Sequence, residues 1–304
     1  MTLFAGCASD PFVGVGAERF AIRVELADTG FFPQEEYQCG PAALATVLGH
    51  AGVEITADEL VPFVWLPERR GSLQPEMLAA SRRYGRIPYV IAPDFGALLA
   101  EVAAGHPVLV LQNLGIGPVP LWHYAVVVGF SRDEREVILR SGVDRRRVTP
   151  AGVFARTWRR GDNWAMITLP PGELPAGDDV ARYLRAVAAM EATGHAEEAA
   201  AAYRAALGRW PDSHLAHLGL GNALWGLGHA DDAAGQYRSA LALVPGDVTA
   251  LNNLASVLAT LGDCGEAADL IGRAEDLAPP GSPLAGNLAD TRREVAACAA
   301  AGSR

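Results

Sequence analysis

Two side chains in the first half of this 304-residue sequence have the types and settings of a nucleophile and its base: Cys39 and His123. Cys39 ends a loop and is followed by Gly40, Pro41 and a run rich in Ala and Leu that reaches Leu48. Proline is favoured in a first helical turn, where its missing N–H costs nothing, and the run behind it has good helix propensity. The thiol then lies at the positive end of a helix dipole, which favours the thiolate. Its pKa is expected to fall toward roughly 3.5–7.5 if a histidine also lies beside it. His123 follows a loop punctuated by Gly115, Gly117, Pro118 and Pro120 and opens the apolar run Tyr124 to Gly129. A polar residue at the head of so apolar a strand calls for a reason, and a base for a thiol is one. Two other histidines fit worse: His50 lies at the far end of the Cys39 helix, and His106 precedes Pro107 in a tight turn. Attack by a thiol on a carbonyl also needs donors for the oxyanion. Gln34 is the candidate, with Gln38, next to the nucleophile, as the alternative.

The elements that must position these residues follow in order. Residues 19–26 alternate apolar and polar side chains with the period of a half-buried strand. The Cys39 helix is expected to stop between Gly49 and Gly52. Thr56 with Glu59 three residues on reads as a capping box, and a further helix runs from about Gln74 to Tyr84. Residues 86–92 read as a strand, and Asp94 caps a helix that ends at Gly105. Strands are then expected over 107–112, 122–129, 136–142 and 164–169, with a short helix from Pro150 to Trp158. Helices first and then strands on short links predict an α+β domain with an antiparallel sheet. The triplet Arg145-Arg146-Arg147 reads as a solvated turn.

After a Pro/Gly-rich linker at 171–179 the sequence repeats. Gly194, Gly228 and Gly262 lie 34 residues apart, as do Pro211, Pro245 and Pro279. Ala199, Ala233 and Ala267 keep that interval, and Tyr203, Tyr237 and Ile271 fill one apolar position. The period resembles the tetratricopeptide repeat, a helix–turn–helix unit. It divides the chain into a tail at 1–18, a first domain at 19–170, three repeats at 180–281, and a capping helix and tail at 282–304.

Net charge is −10, which argues against nucleic acid as a partner. The four cysteines, Cys7, Cys39, Cys264 and Cys298, have no close pair, so neither a zinc site nor a disulfide framework is indicated, and no metal or cofactor is expected. No run approaches the roughly 18 apolar residues of a membrane span. Ala5-Gly6-Cys7 resembles the end of a bacterial lipoprotein signal, although the positive and apolar regions of such a signal are missing. That resemblance implies lipidation of Cys7 and a place in the cell envelope; the alternative is a cytoplasmic protein with an incidental cysteine.

Taken together, Gln34, Tyr37-Gln38-Cys39-Gly40-Pro41-Ala-Ala-Leu and His123-Tyr-Ala-Val-Val-Val-Gly129 resemble the double-glycine leader peptidases. These are papain-like cysteine proteases, often fused to bacteriocin exporters. The resemblance covers about 30–170. It implies a papain-like α+β fold, with Cys39 as nucleophile, His123 as general base and Gln34 as oxyanion residue, acting on a peptide or protein. Two departures stand out. Gln34 is five residues before the cysteine, where the family has six. The family's Asp after the histidine strand is replaced by Arg140-Ser141-Gly142. Ser141 offers a hydrogen bond without charge, and Asp144 is the alternative orienting group. The repeats imply a protein or peptide partner on their own surface. A non-catalytic peptidase-like adaptor is the second reading.

Overall fold

The computed structural model describes residues 10–33, 38–69, 71–116, 118–279 and 281–302. Gln34 and Cys7, singled out above, lie outside the described residues. The chain forms two compact units, 1–170 with 175–179, and 171–174 with 180–304.

The first unit is built on an antiparallel sheet. Its strands are β1 (Arg23–Glu25), β2 (Ile87–Val90), β3 (Val108–Asn113), β4 (Trp122–Ser131), β5 (Glu136–Ser141), β6 (Asp144–Pro150) and β7 (Ala165–Leu169). They are ordered β2-β7-β3-β4-β5-β6, with β1 pairing the far end of β4. The helices are α1 (Cys39–His50), α2 (Ala57–Val64), α3 (Gln74–Arg83), α4 (Phe95–Ala103) and α5 (Ala151–Arg159). The Thr56–Glu59 capping box forms, and Asp94 caps α4 through the Ala97 N–H.

Alternation along β3 sorts the two faces of the sheet. Leu109 and Leu111 join Leu44, Val47 and Leu48 of α1, with Tyr124, Val126 and Val128 of β4, in one buried cluster. Gln112 turns the other way and donates to Thr157 of α5 at 2.6 Å. On that second face Phe154 of α5 meets Phe95 of α4 and stacks on Trp158. The helix bearing Cys39 is thus clamped by nine buried residues, Gly40 to Leu48.

In this unit two expectations need correction. The strand predicted over 19–26 is shorter: residues Ala17–Arg19 form a 3-10 turn, and Ile22 is exposed. The Arg145-Arg146-Arg147 triplet is not a turn but the middle of β6, an edge strand laddered to β5 alone.

The second unit is a run of paired helices: α6 (Val180–Glu191) with α7 (Ala196–Arg209), α8 (His214–Gly226) with α9 (Ala230–Leu243), and α10 (Val248–Leu261) with α11 (Cys264–Leu277). A last helix, α12 (Ala285–Gly302), follows. Gly194, Gly228 and Gly262 occupy the left-handed region at the turn inside each pair, which is why glycine recurs there. The periodic alanines Ala199, Ala233 and Ala267 are fully buried where the helices cross. Cys264 and Cys298 form a disulfide across 34 residues, contrary to the expectation from their spacing. Cys264 opens α11 and Cys298 lies near the C-terminal end of α12, so the bridge ties the start of one helix to the end of the next. Among the described residues no helix is long and apolar enough to cross a membrane.

Candidate active site

Cys39 is the first residue of α1, half-buried and with a free thiol. Gln38, at the N-cap, makes no side-chain cap, so the first-turn N–H groups of α1 stay open toward the thiol. The N–H groups of Tyr124, Gly40 and Cys39 itself point at the sulfur. Tyr124 adjoins His123, so the head of β4 is where the two candidate residues converge.

The close approach of these elements depends on Gly40. A Cβ there would lie 2.5 Å from Ser72 Cβ, in the segment leading into α3. Tyr124 ties the same segment down by donating its hydroxyl to the Ser72 carbonyl at 3.3 Å. Gly40→Ala is therefore expected to cost about 1–3 kcal/mol by overpacking, measured as a lower urea midpoint. In the double variant Ser72→Gly is expected to recover most of that loss.

His123 is the second residue of β4. Its backbone lies opposite Gln112, and its side chain takes the face opposite to that of Tyr124. The loop before it is cinched at the base by Asn113, whose Oδ1 accepts from the Gly115 and Leu121 N–H groups at 3.0 and 2.9 Å. Arg160 donates to the Gly115 carbonyl from outside. The imidazole is held through Nε2, 2.8 Å from Ser141 Oγ. Ser141, rather than Asp144, is therefore the group behind His123; Asp144 is exposed at the β5–β6 hairpin, paired in register with Ser141. Among the described residues Nδ1 has no hydrogen-bond partner. Among the described residues no hydrogen bond joins Cys39 to His123; such contacts commonly tighten only when substrate binds.

The electrostatics differ from the expected activated thiolate. Burial pushes the Cys39 thiol up, outweighing the pull of the three N–H groups. The imidazole is held down to about 4, first by burial and then by the Arg147 guanidinium. The resting pair is thus a neutral thiol and a neutral imidazole. The helix dipole is present, but desolvation at a helix start clamped into a core outweighs it.

Sequence reasoning missed two contributors. Tyr124 supplies an N–H to the thiol and anchors Ser72; only the convergence of β4 on α1 makes it useful. Arg140 is buried and donates to the carbonyls of Ala27 at 3.1 Å, Thr29 at 3.2 Å and Arg145 at 2.6 Å. It fastens the 27–29 turn, which feeds the segment before Cys39, to the hairpin that carries Ser141. A charged residue inside an otherwise apolar strand was the one available signal. His50 and His106 are engaged elsewhere: His50 Nε2 lies 2.9 Å from the Gly105 carbonyl, and His106 Nδ1 lies 2.8 Å from Glu101.

Two stretches of the chain match known protein families. Residues 27–166 match the model of the Peptidase_C39 like family, and residues 183–247 and 218–282 match the tetratricopeptide repeat. Among solved structures, a C39-like peptidase from Bacillus anthracis is 16% identical, covering 48% of this chain and 97% of that one, with a TM-score of 0.42. The Yersinia enterocolitica type III secretion chaperone SycD, in complex with a peptide of the translocator YopD, is 17% identical. That match covers 41% of this chain and 96% of the other, with a TM-score of 0.38. No curated protein matches the sequence significantly. The chain joins a C39-like peptidase domain to a tetratricopeptide-repeat array.

Proposed function

We propose that this protein is a cysteine peptidase that hydrolyses a peptide or protein substrate, with the repeats recruiting that substrate or a partner. Two observations at adjacent residues of β4 support the reading: His123 Nε2 lies on Ser141 Oγ, and the N–H of Tyr124 lies against the Cys39 thiol at a helix start. With Nε2 donating to Ser141, Nδ1 is the basic nitrogen and accepts the Cys39 proton as the sulfur attacks the scissile carbonyl. The oxyanion is met by the Cys39 N–H and by a glutamine side chain, Gln34 or Gln38. The imidazolium then gives its proton to the leaving amine, and water, deprotonated by the same nitrogen, hydrolyses the thioester. The neutral resting pair makes this general-base catalysis, in which the proton moves as the bond forms.

Alkylation of Cys39 by iodoacetamide across pH, followed by mass spectrometry, tests the pair. The expected result is a rate that depends on His123, with Cys39→Ser unlabelled at the site. A rate identical in wild type and His123→Ala, rising only with an ordinary thiol titration, would count against a working pair.

The second reading, a peptidase-like adaptor that binds without cleaving, is favoured by one observation: Ser141 brings no charge to stabilise an imidazolium. It is separated from the first by Cys39→Ala, which on the adaptor reading leaves partner binding and cellular phenotype intact. The Cys264–Cys298 bridge supports placement in an oxidising compartment such as the cell envelope.

A further inference from the structure

The β6 triplet stands beside the candidate site and takes no part in the chemistry described so far. Arg146 is engaged: its Nε and Nη2 donate to the two carboxylate oxygens of Glu25 at 2.7 and 3.1 Å. Arg145 and Arg147 are exposed, and among the described residues the Arg147 side chain makes no ion pair and no hydrogen bond. Register fixes which way Arg147 points. It lies opposite Leu139, which lies opposite Val127, four residues along β4 from His123. Residues two and four apart on a strand share a face. Arg147, Ser141 and His123 therefore occupy the same face of the sheet, opposite to that of Tyr124.

A free cation in this place works against the reaction. It opposes protonation of His123, which must become an imidazolium during acylation. The conflict disappears if substrate brings an anion that neutralises the guanidinium. Which part of the substrate reaches it follows from the chemistry. His123 has to protonate the leaving amine, so the departing segment, C-terminal to the scissile bond, passes over the imidazole and its face of the sheet. The rest of the chain repels anions, with a net charge of −10, which makes a local cationic strip the place where one can land.

Resting on the peptidase reading, we propose that Arg147 is a specificity-determining residue that holds a carboxylate on the departing side of the substrate. That carboxylate is either an Asp or Glu side chain within about two residues of the cleaved bond or the free C-terminus of a short leaving peptide. Arg–carboxylate pairs are directional and often bidentate, so the contact selects as well as attracts.

The test uses the full chain with its disulfide intact and compares alkylation of Cys39 by iodoacetate, an anion, and iodoacetamide, its neutral analogue. The ratio of the two rates is the readout, so any general change in thiol reactivity cancels. In Arg147→Glu the iodoacetate-to-iodoacetamide ratio is expected to fall, because a side chain that draws anions toward the site is replaced by one that repels them. Arg147→Lys is expected to keep most of the ratio. A mixed peptide library, with C-termini free or amidated, then reports specificity. Wild type is expected to show Asp or Glu enriched just after the cleaved bond, and Arg147→Glu to lose that enrichment. If amidation alone abolishes cleavage, the carboxylate recognised is the terminal one. A ratio unchanged in Arg147→Glu, while iodoacetamide labelling still depends on His123, overturns this inference and leaves the peptidase reading standing. Labelling that does not depend on His123 overturns both.

Discussion

His123→Ala will slow acylation of Cys39 by roughly 10²- to 10⁴-fold, the usual contribution of a positioned general base. The argument starts from the resting state. Burial raises the thiol, and burial with Arg147 lowers the imidazole to about 4, so no thiolate is stored in the free protein. All of the activation must come from proton transfer to Nδ1 during attack, and removing that nitrogen removes it. Residual activity in the alanine variant should then rise with pH as the thiol ionises unaided. In wild type the acid limb of kcat/KM should fall near pH 4 rather than near the ordinary histidine value. Ser141→Asp, which places a carboxylate where only a hydroxyl stands, should move that limb upward.

The same imidazole leaves a mark on stability. Its folded pKa lies below its unfolded value of about 6.5, so the unfolded chain binds the extra proton first as pH falls. Stability is fully present above about pH 6.5 and is lost progressively down to about 4. The loss is on the order of 3 kcal/mol for a shift of this size. His123→Gln should flatten that part of the curve, as measured by urea unfolding of the two proteins between pH 7 and pH 4.

The second large effect is expected in the repeats. Reduction of the Cys264–Cys298 bridge, or Cys298→Ser, should destabilise the C-terminal repeat by about 4 kcal/mol. That figure follows from the loop-closure entropy of a 34-residue loop. The bridge joins the start of α11 to α12, which packs on α10 and α11. Two polar contacts add to the bridge: Ser256 donates to Glu294 at 2.7 Å, and Arg292 pairs with Glu275. Glu294 is exposed and Arg292 is half-buried with its side chain still reaching solvent, and contacts of that kind contribute little in water. With the bridge open, α12 should fray first, because it then keeps only its packing on α10 and α11 and the two polar contacts. Thermal unfolding followed at 222 nm with and without dithiothreitol measures this. The expected result is a lower-temperature transition on reduction in wild type and none added in Cys298→Ser. A reductant-insensitive curve in wild type would contradict the role given to the bridge.

How much of this was legible beforehand varied with how local the signal was. The helix behind Cys39, the Thr56–Glu59 capping box and the Asp94 cap are written in a few adjacent residues, and they formed as read. The 34-residue period was readable because Gly, Ala and Pro recur at positions set by helix packing within each unit. β6 was not readable: residues 144–148 are exposed along an edge strand, so burial imposes no alternation on them, and a run of three arginines resembles a solvated turn. The disulfide was missed for the opposite reason. Its cysteines are distant along the chain, and only the packing of α12 against α10 and α11 brings them together.

The candidate site divides along the same line. The sequence by itself determined the residue types available, a cysteine at a helix start and a histidine at the head of an apolar strand, because each depends on local pattern. It also determined that no Asp stands where a carboxylate would orient the base. The tertiary structure alone decided that Ser141 takes Nε2 while Asp144 stays in solvent, since a hairpin and its bulge set which side chain turns inward. It decided as well that Cys39 rests as a thiol, because the helix dipole is local while desolvation depends on everything packed around the sulfur. Arg147 beside His123 belongs to that second class: only strand register, which no neighbouring residues encode, brings a cation at position 147 onto the face of the imidazole at 123.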